Sequence, residues 1–121
     1  QVSGIENSLR QFGAAFESRL FTEEELEYAR SGSGLCSERL AARFAAKEAT
    51  IKALQLGNEG ISWRDIEVRK LRNGDCELVL HGRVAELASQ LRVEQLAVSL
   101  SHDGDYAGAF VTVLCGAQGN D

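Results

Sequence analysis

Methionine is absent from this chain of 121 residues, cysteine occurs only three times, and no apolar run approaches the length of a bilayer span. Crossing a membrane as a helix takes about 20 consecutive apolar residues, and no basic-then-apolar signal segment opens the chain. A cytoplasmic location with no membrane partner is therefore expected. Cys36, Cys76 and Cys115 are odd in number, widely spaced and without a Cys-x-x-Cys pair. That excludes a disulfide framework or a zinc site and leaves free thiols in a reducing compartment. Basic residues are outnumbered, 13 against 18 acidic, for a net charge of −5. General nucleic-acid binding needs the opposite balance, although a local basic pocket for a small phosphorylated ligand remains open. With no methionine and Gln1 at its start, the chain is expected to have lost or to lack a preceding segment.

What is present is ordinary for a globular protein: 44% hydrophobic and 26% charged residues. The length suits one domain over residues 1–121 and is too short for two.

Along the chain, Ile5, Leu9, Phe12, Phe16 and Leu20 recur at spacings of three and four, which predicts an amphipathic helix, whole or broken at Gly13. Thr22 and Glu25 form a capping-box signature, so "FTEEELEYAR" reads as a short helix with an acidic first turn and "EEELE" as its solvated face. "SGSG" is a loop. A long helix then opens at Ser37 or the residue before it and runs to about Leu56, where Gly57, Asn58 and Gly60 stop it. "ISWRDIEVRKL" and "CELVLHG" read as strands joined at Asn73-Gly74, a hairpin signal. "RVAELASQL" is a short helix, and "LAVSLSH" and "AGAFVTVL" are two further strands across "DGDY". The expected class is α+β, a largely antiparallel sheet packed around a long central helix.

That helix carries the puzzle of the sequence, because "LAARFAAKEATIKAL" is alanine-rich and apolar yet contains Arg43, Lys47, Glu48 and Lys52. At about 100° per residue, Leu40, Phe44, Ile51 and Leu54 share a stripe, with Glu48 and Lys52 on one shoulder and Arg43 and Lys47 on the other. Glu48 and Lys52 admit two readings. One is an i,i+4 ion pair on a solvated face, worth about 0.3 kcal/mol. The other is a charged pair at a cleft, a carboxylate for a hard cation and an ammonium for the phosphates that the cation bridges.

"RFAAKEATIKAL" resembles the signature of the 4'-phosphopantetheinyl transferases, an aromatic residue before Lys-Glu-Ala with a second lysine four residues after the glutamate. "SLSHDGDYAGAFV" resembles their second signature, a strand ending in Ser-His before a turn and an alanine-rich strand. "FESRLFTEEELEYA", "SWRDIEV" and the order of elements resemble the small holo-acyl-carrier-protein synthase branch over nearly the whole chain.

The resemblance implies transfer of the 4'-phosphopantetheine arm of coenzyme A to a serine of an apo acyl carrier protein, releasing 3',5'-ADP. In it, Glu48 matches the Mg²⁺ ligand and Lys52 the lysine on the pyrophosphate. Arg43 and His102 match the nucleotide end at its 3'-phosphate. Lys47, Ser101 and the glycine loop at Gly57 belong to the coenzyme A motifs. It also implies a homotrimer with active sites between subunits. Without these motifs His102 would read as a loop residue; His81 has no such partner and reads as structural, and Trp63 as a packing anchor.

The sequence departs from the family pattern at two places. The family's metal-binding aspartate, in a Gly-x-Asp-x motif on a first strand, would fall just before Gln1, and Glu6 does not replace it. Gly4 and Ala15 stand where other members are basic, leaving Arg10 and Arg19 to meet the acidic helix of a carrier. These departures keep two alternatives in view: a domain excised from a larger fatty-acid or polyketide synthase, where tethering replaces affinity, and a catalytically silent homologue that binds coenzyme A or a carrier.

Overall fold

A computed structural model describes residues 2–4, 17–31, 37–57, 60–103 and 106–116, without the side chains of residues 102, 103 and 106. Most of the amphipathic segment over residues 5–20, nearly all of the "SGSG" loop, Cys36 and the tip of the last hairpin lie outside the described residues; within that segment residues 17–20 are helical.

Helix α1, Glu23–Arg30, begins as its sequence predicts. Thr22 is the N-cap, its Oγ1 accepting from Glu25 N at 3.2 Å while Glu25 Oε1 accepts from Thr22 N at 2.9 Å. Both halves of the capping box therefore form. The face is not wholly solvated, however: Glu23, Glu24 and Glu27 are exposed, whereas Glu25 is buried. Helix α2, Ser37–Leu54, is the long central helix. It ends one residue before Gln55, which adopts φ 57. Leu56 N donates to Ile51 O at 2.9 Å and Gln55 N to Lys52 O at 3.2 Å. This is a Schellman ending, sealed by Leu56 and Ile51 in one apolar cluster. The stop therefore precedes the glycines, because burying Leu56 turns the chain before Gly57 is reached. A side chain in the left-handed region is strained, so Gln55→Gly is expected to stabilise the fold by about 1 kcal/mol in urea denaturation.

Strands β1, Ile66–Lys70, and β2, Cys76–Leu80, pair antiparallel from Ile66↔Leu80 to Lys70↔Cys76. The hairpin is where Asn73-Gly74 places it, closed by Gly74 N donating to Leu71 O at 3.1 Å with Gly74 at φ 93. The strand expected from Ile61 begins only at Ile66. Residues Trp63–Asp65 form a 3₁₀ turn capped by Ser62, since the Ser62 hydroxyl offers Arg64 N a local alternative to the ladder. Helix α3, Gly82–Gln90, follows, then β3, Val93–Asp103, and β4, Tyr106–Cys115, antiparallel with a bulge between Val93 and Gln95. The fold is α+β with two antiparallel strand pairs among the described residues.

Two apolar clusters flank α2. One gathers Leu20, Phe21, Leu26, Ala29, Leu40 and Ala41, with Phe44 and Trp63 packed against it. Those two rings lie 5.0 Å apart, as a packing role for Trp63 requires. The other joins Leu54 and Leu56 to Ile66, Val84 and Leu87. Among the described residues no helix is long and apolar enough to cross a membrane.

His81 is structural, as its isolation in the sequence suggests. Its Nε2 lies 2.8 Å from Glu67 Oε1, and Thr22 Oγ1 donates to Glu67 Oε2 at 3.1 Å, so one carboxylate, 3% exposed, ties the start of α1 to β1 and the end of β2. Burial alone would raise the Glu67 carboxyl, but hydrogen bonds from His81 and Thr22, contact with Glu24 and the charge of Arg69 outweigh it and hold the group below its ordinary 4.5. A carboxyl lower in the folded than in the unfolded chain stabilises fully above 4.5 and loses that contribution as pH falls through the folded value. Below pH 4.5 the wild type should therefore lose urea stability more steeply than Glu67→Gln.

Candidate functional site

The four charged residues of α2 divide between inside and outside. Leu40, Arg43, Ala46, Lys47, Thr50 and Leu54 are buried, while Glu48 and Lys52 are exposed. The inward face is centred on Arg43 and Lys47, not on the stripe through Phe44 and Ile51. With alanine on nearly every side, apolar periodicity does not say which side is the core, and long aliphatic stems let both cations turn inward.

Lys47 is 0% exposed and saturated. Its Nζ donates to Glu25 Oε1 at 2.8 Å, to Trp63 O at 3.0 Å and to Ile66 O. Glu25 Oε2 in turn accepts from Val68 N at 3.0 Å. Burial pushes the Lys47 ammonium down and the Glu25 charge opposes it. The expected contact of Lys47 with coenzyme A is corrected here: all three of its N–H groups are spent inside the protein.

Arg43 is also buried, at 2% exposed, but it is not saturated. Its guanidinium lies 4.4 Å from the Tyr28 ring centre and Nη1 donates to Arg39 O at 3.3 Å. Nε and Nη2 have no hydrogen-bond partner among the described residues. Burial lowers its pKa, with nearby negative groups opposing. It lines a cavity of about 460 Å³ with Tyr28, Lys70, Cys76 and Ser99. A buried guanidinium with idle donors is costly unless an anion takes them. Lys70, Tyr28 and Ser99 escaped the sequence reading because no local spacing links them to Arg43.

Glu48 and Lys52 point outward on the other side of the helix and form no ion pair with each other or with another described residue. The i,i+4 surface pair is thus not made, and both groups are available to a ligand. Among the described residues no cluster of three or more His, Cys, Asp or Glu could hold a metal. Magnesium bridging substrate phosphates needs only one or two protein carboxylates, and an unpaired, exposed Glu48 fits that mode as one of them.

Of the other expected residues, Gly57 is exposed and walls a separate apolar pocket of about 310 Å³ with Ile51, Leu56 and Trp63. Ser101 is exposed on β3 opposite Gly108, where an added Cβ would stand 3.1 Å from its hydroxyl. The backbone of His102 pairs with Ala107; its side chain lies outside the described residues. Arg19 is exposed in the helical stretch 17–20, and Arg10 lies outside the described residues.

Comparison with known proteins places these residues in a family context. A family model described as the 4'-phosphopantetheinyl transferase superfamily matches residues 1–111. The holo-[acyl-carrier-protein] synthase of Geobacter sulfurreducens is 49% identical over 96 residues, covering 78% of this chain and 75% of its own. That of Gloeobacter violaceus is 41% identical over 113 residues, covering 93% and 86%. Among solved structures, a Chronobacterium ammoniagenes ACPS–CoA complex superposes with a TM-score of 0.82 at 35% identity over 96% of this chain and 92% of that one. Helicobacter pylori holo-[acyl-carrier-protein] synthase in complex with coenzyme A gives 0.80 at 29% identity, covering 93% of each.

Proposed function

We infer the reaction from one premise: the chain belongs to the 4'-phosphopantetheinyl transferase superfamily and, within it, to the holo-acyl-carrier-protein synthase type. It transfers the 4'-phosphopantetheine group of coenzyme A to a serine hydroxyl of an apo acyl carrier protein. The serine oxygen bonds to the phosphorus that carries the pantetheine arm, the bond from that phosphorus to 3',5'-ADP breaks, and the serine proton is released. Transfer of this kind is catalysed mainly by positioning and charge stabilisation.

The assignment of roles is carried by one observation, the division of charge across α2. Glu48 and Lys52 stand a turn apart, exposed and unpaired among the described residues, while Arg43 keeps two donors without a partner among those residues in a cavity on the inward side. Glu48 would hold a magnesium ion, and it orients the serine for loss of its proton. Magnesium, when bound, neutralises the diphosphate oxygens. Lys52 stabilises the charge that builds on the departing nucleotide. Arg43, with Ser101 and His102 of β3, takes the nucleotide's 3'-phosphate, and the Gly57 loop borders the pyrophosphate. Arg10 and Arg19 meet the acidic carrier.

The chain acts as a homotrimer with the substrate between subunits. This is supported by the outer face of the last hairpin, where Phe110 is 77% and Leu114 53% exposed. Both sit among small and polar neighbours, opposite Ser99 and Gln95, and two bare large apolar side chains on one strand face suit a protein interface. The single domain and its free thiols belong in the cytoplasm.

The test is incubation of the protein with coenzyme A, Mg²⁺ and apo carrier. Mass spectrometry should find the carrier heavier by one 4'-phosphopantetheine group, and an unmodified carrier would sink the reading. In the same assay Lys52→Ala should lower turnover by a barrier increment of about 2.7 to 4 kcal/mol, with unfolding unchanged because Lys52 is exposed and has no partner among the described residues.

A further inference from the structure

The cavity under Arg43 holds a group that the transfer reaction does not use. Cys76, the first residue of β2, lines it half-buried. It faces Lys70 across the hairpin register. The wall carries two cations, Arg43 and Lys70, and two carboxylates, Asp75 and Glu77. Of these four, Arg43 alone is buried, and its Nε and Nη2 lack hydrogen-bond partners among the described residues. Among neighbouring charges a Cys76 thiolate would act on that guanidinium most strongly, ahead of Tyr28 and Glu25. The Cys76 thiol is reachable from the cavity, and a buried cation with idle donors lines the same wall.

We propose that Cys76 is a site of reversible thiol–disulfide exchange that takes disulfides bearing an anionic group, with Arg43 as the anion contact. The Cys76 proton goes to solvent and Sγ attacks one sulfur of the incoming disulfide. A new S–S bond forms as the old one breaks, and the other half leaves as a thiolate. The incoming disulfide is the only oxidant the step needs, and a free thiol reverses it. The anionic group then occupies the idle donors of Arg43. Its consequence for transfer rests on the reading of Arg43 as a nucleotide contact: the modified protein loses that contact and binds coenzyme A more weakly.

The whole protein is treated separately with glutathione disulfide, which is anionic, and with the neutral hydroxyethyl disulfide. Labelling rates are read at each cysteine by peptide mass mapping. Cys115, exposed on β4, is the internal reference. The anionic-to-neutral rate ratio at Cys76 should exceed that at Cys115 on the order of tenfold, the scale of one charge-assisted hydrogen bond. Arg43→Gln should bring the two ratios together. Equal ratios in the wild-type protein would overturn the site, and that comparison needs no variant to fold. The glutathione-modified wild type should bind coenzyme A more weakly by calorimetry and recover with dithiothreitol, whereas Cys76→Ser given the same treatment should not change. Modification at Cys76 with undiminished coenzyme A binding would overturn the control over transfer. Neither result depends on the carrier assay, so failure here is distinct from failure of the transferase reading.

Discussion

Glu48→Gln should lower carrier modification by a factor on the order of 10² to 10³, the scale of losing one preorganised charge-stabilising group, while urea unfolding stays at the wild-type midpoint. The expectation has two halves, and both follow from where the residue stands. Glu48 is exposed and bonded to no other described residue, so the fold loses no contact when its charge is removed, and such surface changes are usually within about 0.5 kcal/mol. The amide keeps the shape of the carboxylate but neither its charge for a hard cation nor its basicity toward a serine proton. Excess Mg²⁺ should recover part of the rate if weakened metal binding is the main loss. An unchanged rate in Glu48→Gln would mean that the helix glutamate does not hold the cation. A lower rate together with a lower unfolding midpoint would mean that Glu48 is part of the scaffold.

The neighbouring residue should behave in the opposite way. Lys47→Met is expected to destabilise the protein by about 3 to 5 kcal/mol, because removing one partner of a buried ion pair leaves the other charge uncompensated. That partner is Glu25, whose side chain is fully buried with that of Lys47 at 2.8 Å. The loss spreads further, since Trp63 O and Ile66 O also lose a donor. The double variant Lys47→Met/Glu25→Gln should recover part of the stability. An amide carries no charge to strand, and its oxygen can still accept from Val68 N or Thr22 N, the two backbone donors that Glu25 now serves beside Lys47. A Lys47→Met midpoint within experimental error of wild type would show that the pair is not what joins α1, α2 and β1. Consecutive residues in one signature thus separate cleanly: one substitution should cost activity and spare the fold, the other should cost the fold first.

Much of this was legible in local sequence. Thr22 and Glu25 stand at the spacing of a capping box, and the box forms because both partners lie within one turn. Asn73-Gly74 places the hairpin because only glycine takes φ 93 without strain. Where an element ends was less legible: Gln55 takes the left-handed position that a glycine two residues on would have filled more easily, because the core captures Leu56. Trp63 reads as part of a strand because Ile61 and Trp63 alternate with Ser62 and Arg64, a pattern that hides a turn set by one serine hydroxyl.

By itself the sequence determined that Glu48 and Lys52 share one side of a helix and that an acidic first turn caps another, since 3.6 residues per turn and one-turn hydrogen bonds need nothing distant. Only the tertiary structure decided that Arg43 and Lys47 face inward, that Lys47 is spent on a carboxylate 22 residues away, and that Arg43 shares a cavity with Cys76. On a helix clothed in alanine the periodicity is nearly featureless, so the buried side is chosen by whatever polar partners packing brings to meet a charge, and those partners come from remote parts of the chain.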